Sequence, residues 1–333
     1  MEDVITLSHG NGGKKTSKLI EEILLPSFNN EELNNLGDGA LLSTSGKLAF
    51  STDSFVIYPY FFPGGDIGKL SVCGTVNDLL MCGSIPKYLS LSLILEEGFS
   101  LEELKKIINS ISETAQAAGV KIVTGDTKVV DKGHGHGIYI NTSGIGEMRT
   151  GVELGKYRLE KGDKVILTGS AGNHGVSILC ARENLLEENI LSDCAPLNKV
   201  VDTILKFKEE VKLLRDPTRG GVATTLNEFV ESSELSIELT EDNIPVDLNV
   251  KTACDLLGLD PLYSANEGKL LAVVSADKAE EIVKELRKLE ISKDSTVIGE
   301  VVDYMASKVI LKSTLGGRRI LDKLSYDALP RIC

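Results

Sequence analysis

Between residues 86 and 124 the apolar periodicity changes from two to about 3.6 and back to two, and a chain that does this must mix strands with helices. Leu89, Leu91, Leu93 and Leu95 alternate along residues 86–95, a strand pattern. Leu101, Leu104, Ile107, Ile108, Ile111 and Ala115 then form one helical stripe over residues 100–118. Ser100 with Glu103 reads as a capping box at its start, and Gly119 as its stop. Residues 120–124 return to strand, and 137–145 follow as another. Earlier, 48–52 reads as a strand and 18–25 and 69–82 as helices. Beyond a polar, glycine-containing stretch at 150–163 the mixture resumes: strands at 164–168, 270–275, 295–301 and 308–312, helices at 196–208, 221–232 and 277–289. Asp277 and Glu280 read as a second capping box. The fold class is therefore mixed α/β (α+β). The 333 residues divide into an N-terminal domain (1–150), a C-terminal domain (151–322) and a tail (323–333).

Aromatic residues are only 5% of the chain and Trp is absent, so the cores must be aliphatic. Asp and Glu number 49 against 36 Lys and Arg, which argues against a nucleic-acid partner. An acidic chain that binds a nucleotide must neutralise phosphates locally, with metal ions, lysine or glycine-rich backbone. No apolar run approaches the roughly 20 residues needed to cross a bilayer. The acidic opening MEDVITLSHG has no signal-peptide pattern, so the expected setting is the cytoplasm. Cys73, Cys82, Cys180, Cys194, Cys254 and Cys333 form no CxxC pair, and five of them read as small apolar residues.

The usual nucleotide signatures are missing. Gly10-Asn11-Gly12-Gly13-Lys14 resembles a phosphate loop without matching its spacing, and a plain glycine loop explains it as well. Asp38, Asp53, Asp78 and Asp126 stand out by context. Asp53 and Asp126 read as strand ends, Asp38 lies between glycines, and Asp78 interrupts an apolar helix. Carboxylates so placed suit Mg²⁺, which bridges one or two of them to substrate phosphates. Asp is also common in turns, but Asp78 on an apolar helix requires a partner. Lys128 projects toward the same strand end as Asp126. His134 and His136 lie in a glycine loop with no third ligand nearby, which does not complete a zinc site. Asp216-Pro217-Thr218-Arg219-Gly220-Gly221 reads either as a helix start or as an anion site at a helix N-terminus. Glu267 is either an active-site carboxylate or a turn residue. The sharpest feature is Leu329-Pro330-Arg331-Ile332-Cys333, which puts a thiol nucleophile on a tether reaching up to about 36 Å from Asp322.

Several stretches together resemble the HypE family of hydrogenase maturation factors. They are Leu7-Ser8-His9-Gly10-Asn11-Gly12-Gly13, Phe61-Phe62-Pro63-Gly64-Gly65-Asp66-Ile67-Gly68-Lys69, Cys73-Gly74-Thr75-Val76-Asn77-Asp78-Leu79, Thr124-Gly125-Asp126-Thr127-Lys128, the Asp216–Gly221 run and the Pro330-Arg331-Ile332-Cys333 end. The aspartate motifs alone indicate the wider ATP-binding superfamily of aminoimidazole ribonucleotide synthetase, selenophosphate synthetase and thiamin-monophosphate kinase; the cysteine end selects HypE. The resemblance implies two α/β domains and a homodimer paired through the N-terminal domains. It implies ATP held by Gly12, Gly13, Asp53, Lys69, Asn77 and Thr127, and Mg²⁺ held by Asp38, Asp53, Asp78 and Asp126. It also implies that a carbamoyltransferase, HypF, loads Cys333 as an S-carboxamide. ATP then drives dehydration to an S-cyanate, with Glu267 as base and Lys128 as electrostatic help, and the cyanide passes to iron on a HypC–HypD scaffold. Two other readings fit the residues: a kinase or synthetase of the superfamily with a small soluble substrate, and a non-catalytic, ATP-regulated scaffold for iron delivery.

Overall fold

The computed structural model describes residues 3–10, 13–34, 39–183, 185 and 190–324. Three short helices come first: α1 (Lys14–Leu19), α2 (Leu25–Phe28) and α3 (Glu31–Asn34), with a π-helical turn at Ile20–Leu24 between the first two. The N-terminal sheet holds β1 (Leu48–Phe55), followed after two-residue strands β2 (Phe61–Phe62) and β3 (Gly65–Asp66) by β4 (Ser84–Glu96), β5 (Lys121–Val130) and β6 (Ile138–Met148). The four long strands lie in the order β1-β6-β4-β5. β4 and β5 are parallel, joined by the crossover helix α5 (Leu101–Ala118). The Ser100 hydroxyl accepts the Glu103 N–H at its start and Gly119 closes it in the left-handed conformation.

Helix α4 (Ile67–Met81) crosses the inner face of this sheet. Asp66 starts it, its Oδ1 accepting the N–H groups of Gly68 at 2.7 Å and Lys69 at 3.1 Å. The helix is apolar nearly all round because sheet, α5 and the second half of the chain enclose it; Leu70, Val72, Cys73, Val76, Leu79 and Leu80 are all without exposure. The opposite face of the sheet has no helix among the described residues, and leaves Leu48, Phe50 and Ile94 exposed.

The second half is built on a seven-stranded sheet ordered β13-β12-β9-β11-β7-β10-β8. These strands are β7 (Lys164–Leu167), β8 (Val211–Arg215), β9 (Ser236–Thr240), β10 (Leu271–Val274), β11 (Thr296–Val302), β12 (Val309–Lys312) and β13 (Arg318–Leu321). Around it lie α6 (Asn173–Glu183), α7 (Asn198–Ile204), α8 (Gly221–Val230), α9 (Leu248–Leu257) and α10 (Ala279–Leu286). One apolar cluster runs from Leu70 and Ile111 of the first half to Leu197, Leu214 and Leu270 of the second.

Three readings change. β1 and β5 run past the points where Asp53 and Asp126 would end them, so both aspartates lie within strands; Gly125 is tolerated because the Leu91 carbonyl of β4 packs where a Cβ would stand. The Asp277–Glu280 box does not form, because α10 starts at Ala279 with no side-chain cap. The 196–208 helix shortens to α7, since Leu205–Phe207 tightens into a 3₁₀ turn.

Candidate active-site cleft

A cleft of about 690 Å³ lies between the halves. From the first half β1 supplies Asp53 and α4 supplies Asp78. Asp53 pairs in register with Thr142 of β6, whose hydroxyl bonds Thr75 of α4, so Asp53 faces the helix. Asp78 finds the partner its apolar helix demands in Ser51, whose hydroxyl donates to Oδ2 at 2.6 Å. The second half contributes Arg215, Asp216, Arg219, Glu228 and Glu267. Helix α8 begins at this cleft on two left-handed glycines. A Cβ on Gly221 would stand 2.5 Å from the Leu262 carbonyl oxygen, so only glycine lets α8 enter so close.

Five carboxyl groups thus share the cleft with two guanidiniums, and Arg215 is already paired with Glu228 at 3.2 Å. The electrostatic result follows. Burial first, and then the neighbouring Asp78, push Asp53 up to about 6. Burial and Asp78 push Asp216 up to about 7. Glu267, only 4% exposed, is held well above the carboxylate range by burial and by the neighbouring Cys194, Asp216, Asp193 and Asp53. A site that crowds carboxyls until they resist ionisation is short of positive charge. Hard oxygen donors in that state fit a divalent cation bridging to phosphates, and Asp53 and Asp78 supply two of them. Among the described residues, no group of three or more His, Cys, Asp or Glu side chains is arranged to hold a metal by itself.

Asp126 and Lys128 lie elsewhere. They pair in register with Ser92 and Ile94 of β4 and so share the helix-free face, at the opposite edge of the sheet from Asp53. Lys128 Nζ binds Asp126 Oδ1 at 2.7 Å, with both side chains more than half exposed. At the β5 edge, where α1–α3 flank the sheet, they line with Thr127, Gly10 and Thr16 a separate pocket of about 320 Å³. A single chain therefore does not bring Asp126 to Asp53 and Asp78. Gly12, Asp38 and Cys333 lie outside the described residues. Gly13 caps α1, and Lys69 donates to the Gly64 carbonyl at 3.0 Å. Asn77 has no exposure. Its Nδ2 donates to the carbonyls of Ala195 and Glu267, and its Oδ1 accepts the Leu197 N–H.

His9 and His174 are buried. His9 Nδ1 accepts the Thr6 N–H, and His174 bonds Ser192 at 2.8 Å and meets Phe62 edge-on. The loop carrying His134 and His136 is tied by Glu96, which accepts the N–H groups of Gly133 and Gly137.

Asp216 gives a test of this electrostatic picture without any ligand. Its native pKa lies above its unfolded one, so the fold is favoured when it is protonated. The handicap is absent below about pH 4 and grows to full size above about pH 7. Asp216→Asn should therefore stabilise the metal-free protein at pH 8 by roughly 2–4 kcal/mol and leave it unchanged at pH 4. Denaturant melts at the two pH values decide this; an equal effect at both would contradict it.

Residues 36–148 match the family model described as AIR synthase related protein, N-terminal domain, and residues 160–312 match its C-terminal counterpart. Fold and cleft together define a two-domain member of the AIR synthase related class. Within it, the chain is 45% identical to carbamoyl dehydratase HypE of Cupriavidus necator, over 99% of this chain and 95% of that protein. A crystal structure of the hydrogenase maturation protein HypE in complex with ATP superposes with a TM-score of 0.94 at 43% identity, covering 98% of this chain and 99% of that one. The HypE chain of a HypE–HypF complex gives 0.81 at 46% identity, over 92% and 99%. The chain belongs to the HypE carbamoyl dehydratase family.

Proposed function

We propose that this chain is an ATP-dependent carbamoyl dehydratase of [NiFe]-hydrogenase maturation that works on its own Cys333. The observation that carries this reading is a buried carboxyl, Glu267, in a cleft whose rim includes Leu324, the last described residue. From Leu324 the nine residues to Cys333 span at most about 30 Å, enough to bring the thiol into the cleft or to present it outside. The chemistry suits what lines the cleft. A carboxamide does not shed its oxygen as hydroxide. Transfer of the ATP γ-phosphoryl to that oxygen makes phosphate the leaving group. Loss of both N–H protons, with Glu267 as the base, then closes the C≡N triple bond. S-carboxamide and ATP become S-cyanate, ADP and phosphate.

Mg²⁺ would be held by Asp53 and Asp78, with Asp38 and Asp126, and would neutralise the transferring phosphoryl. Gly12, Gly13, Lys69, Asn77 and Thr127 form the proposed nucleotide set. For Asn77 and Lys69 the contribution is to hold the surrounding backbone, since their polar ends are engaged there. Asp126 and Lys128 serve a cleft in a homodimer paired through the helix-free face that carries Phe50 and Ile94, where a second copy supplies them. Light scattering at micromolar concentration is expected to give a dimer, and a monomer would remove this part. HypF loads Cys333, and a HypC–HypD scaffold receives the cyanide. The setting is the cytoplasm; no helix among the described residues is long and apolar enough to cross a membrane.

Intact mass of the chain after incubation with the transferase, carbamoyl phosphate and ATP tests the reading: a carbamoyl adduct should form and then lose one water. ATP turnover independent of a loaded Cys333 would indicate a soluble-substrate enzyme instead, and no stoichiometric turnover would indicate a scaffold. Asp78→Asn and Asp126→Asn should each abolish Mg²⁺-dependent ATP binding with melting unchanged. Calorimetry giving wild-type affinity in either removes that residue from the site.

A further inference from the structure

We infer that Asp193 is a positioning residue for Glu267, holding it in register with the N-terminal half. This deepens the reading of Glu267 as the base and rests on it. Glu267 belongs to the second half, while Asp53 and Asp78, which it must meet across the cleft, belong to the first. Something has to fix one against the other. Residues 190–197 run through that seam. Asp193 Oδ1 accepts the Glu267 N–H at 3.2 Å, and its Oδ2 accepts from Asn266 Nδ2 at 2.9 Å. Asn266 has no exposure, and its Oδ1 takes the Gly172 N–H, so the carboxylate grips a residue already locked in place.

The backbones also touch. A Cβ on Gly268 would lie 1.8 Å from the Asp193 carbonyl oxygen, a distance only glycine permits. Beyond Asp193 the Ala195 N–H donates to the Glu267 carbonyl at 3.3 Å. The same segment is fastened to the first half. The Ser192 N–H donates to the Pro63 carbonyl at 2.8 Å, and Asn77 of α4 takes both the Ala195 carbonyl and the Leu197 N–H. Both backbone groups of Glu267 are thereby held by groups anchored on the N-terminal half, and the N–H is held by a side chain. A carboxylate is the one side chain of this length with two acceptor oxygens, one for each bond. An active-site group must be kept within a fraction of an ångström of its productive position, and Asp193 meets that need without touching substrate.

The test uses the full chain, carbamoylated on Cys333, in single turnover with ATP. Asp193→Ala should slow conversion to the S-cyanate about 100-fold, with ATP affinity and carbamoyl loading unchanged. Asp193→Asn, which keeps one acceptor, should fall between Ala and wild type, and it carries the test should the Ala variant not fold. Because Asp193 acts through Glu267, adding Asp193→Ala to Glu267→Gln should cost nothing further. A rate within about threefold of wild type, a loss that multiplies fully in the Gln background, or a parallel loss of ATP binding overturns the inference. A slow Glu267→Gln beside a fast Asp193→Ala sinks the positioning alone. A Glu267→Gln variant at wild-type rate sinks the base, and the positioning with it.

Discussion

Cys333→Ala is expected to fold, melt and bind ATP as the wild type does, and to lose all S-cyanate formation. The reacting carbon is carried on the thiol, so without sulfur there is neither loading nor dehydration; no rate remains to be measured. Intact mass is the measurement. Wild type should gain about 43 Da on carbamoylation and then fall to about 25 Da above the unmodified chain as water leaves, and the Ala variant should do neither. Truncation from Leu329 should behave in the same way, because it removes the same thiol. Extra residues after Cys333 should slow the reaction by adding bulk beside the reacting thiol. Among the other cysteines, Cys73, Cys180, Cys194 and Cys254 are buried, and burial raises the thiols of Cys82, Cys180 and Cys254 above their ordinary value. They are poor substitutes as carriers. A cyanated mass on the Ala variant would nonetheless move the carrier to one of these five.

Glu267→Gln is the second large effect. The substitution keeps size and hydrogen-bonding reach, so folding, ATP binding and carbamoyl loading should survive, while conversion to the S-cyanate falls by about 10²–10⁴. The adduct should therefore accumulate at the carbamoyl stage. The native carboxyl is held well above its ordinary range in the ligand-free cleft by burial and by its carboxyl neighbours. A cation held by Asp53 and Asp78 would offset that environment and make the carboxylate available. Accumulation of the S-carboxamide at constant ATP affinity is the expected signature. A wild-type single-turnover rate would remove Glu267 from the chemistry.

What the sequence revealed was local. Helix α5 could be bounded to within a residue because Ser100, Glu103 and Gly119 act within one turn of its ends. The central apolar character of α4 was equally plain, although its start depends on Asp66, whose capping role is invisible until the two-residue strands before it are seen. The errors came where distant packing decides. Gly125 reads as a strand end, yet β5 continues through it because β4 lies close enough to replace the missing side chain. Helices α6 and α9 escaped because α6 is buried on several sides and α9 exposes Leu248 and Leu256, so neither shows a clean stripe. At the cleft, Asp53, Asp78, Glu267 and the stretch before α8 could be marked as candidates. That Asp53 and Asp126 lie on opposite faces and edges of one sheet could not, because it depends on strand order. Asp193 carried no signal at all. Its bonds go to residues 73 and 74 positions away, and nothing in the run Ser192-Asp193-Cys194 distinguishes it from a surface turn.

The seam through Asn77 also bears on the order in which the molecule folds during synthesis. The three protein groups that satisfy its amide lie 118, 120 and 190 residues downstream. At a ribosomal pace of roughly 5–20 residues per second, α4 waits on the order of ten seconds before residue 195 exists to receive it. Throughout that interval the first half has an apolar helix with one face open and a polar amide pointing outward. Its helix α4 gains full cover only once residue 197 has been made. The two halves, though they match separate family models, are obliged to mature together. A nascent chain halted near residue 150 would be a client for chaperones and not a folded domain.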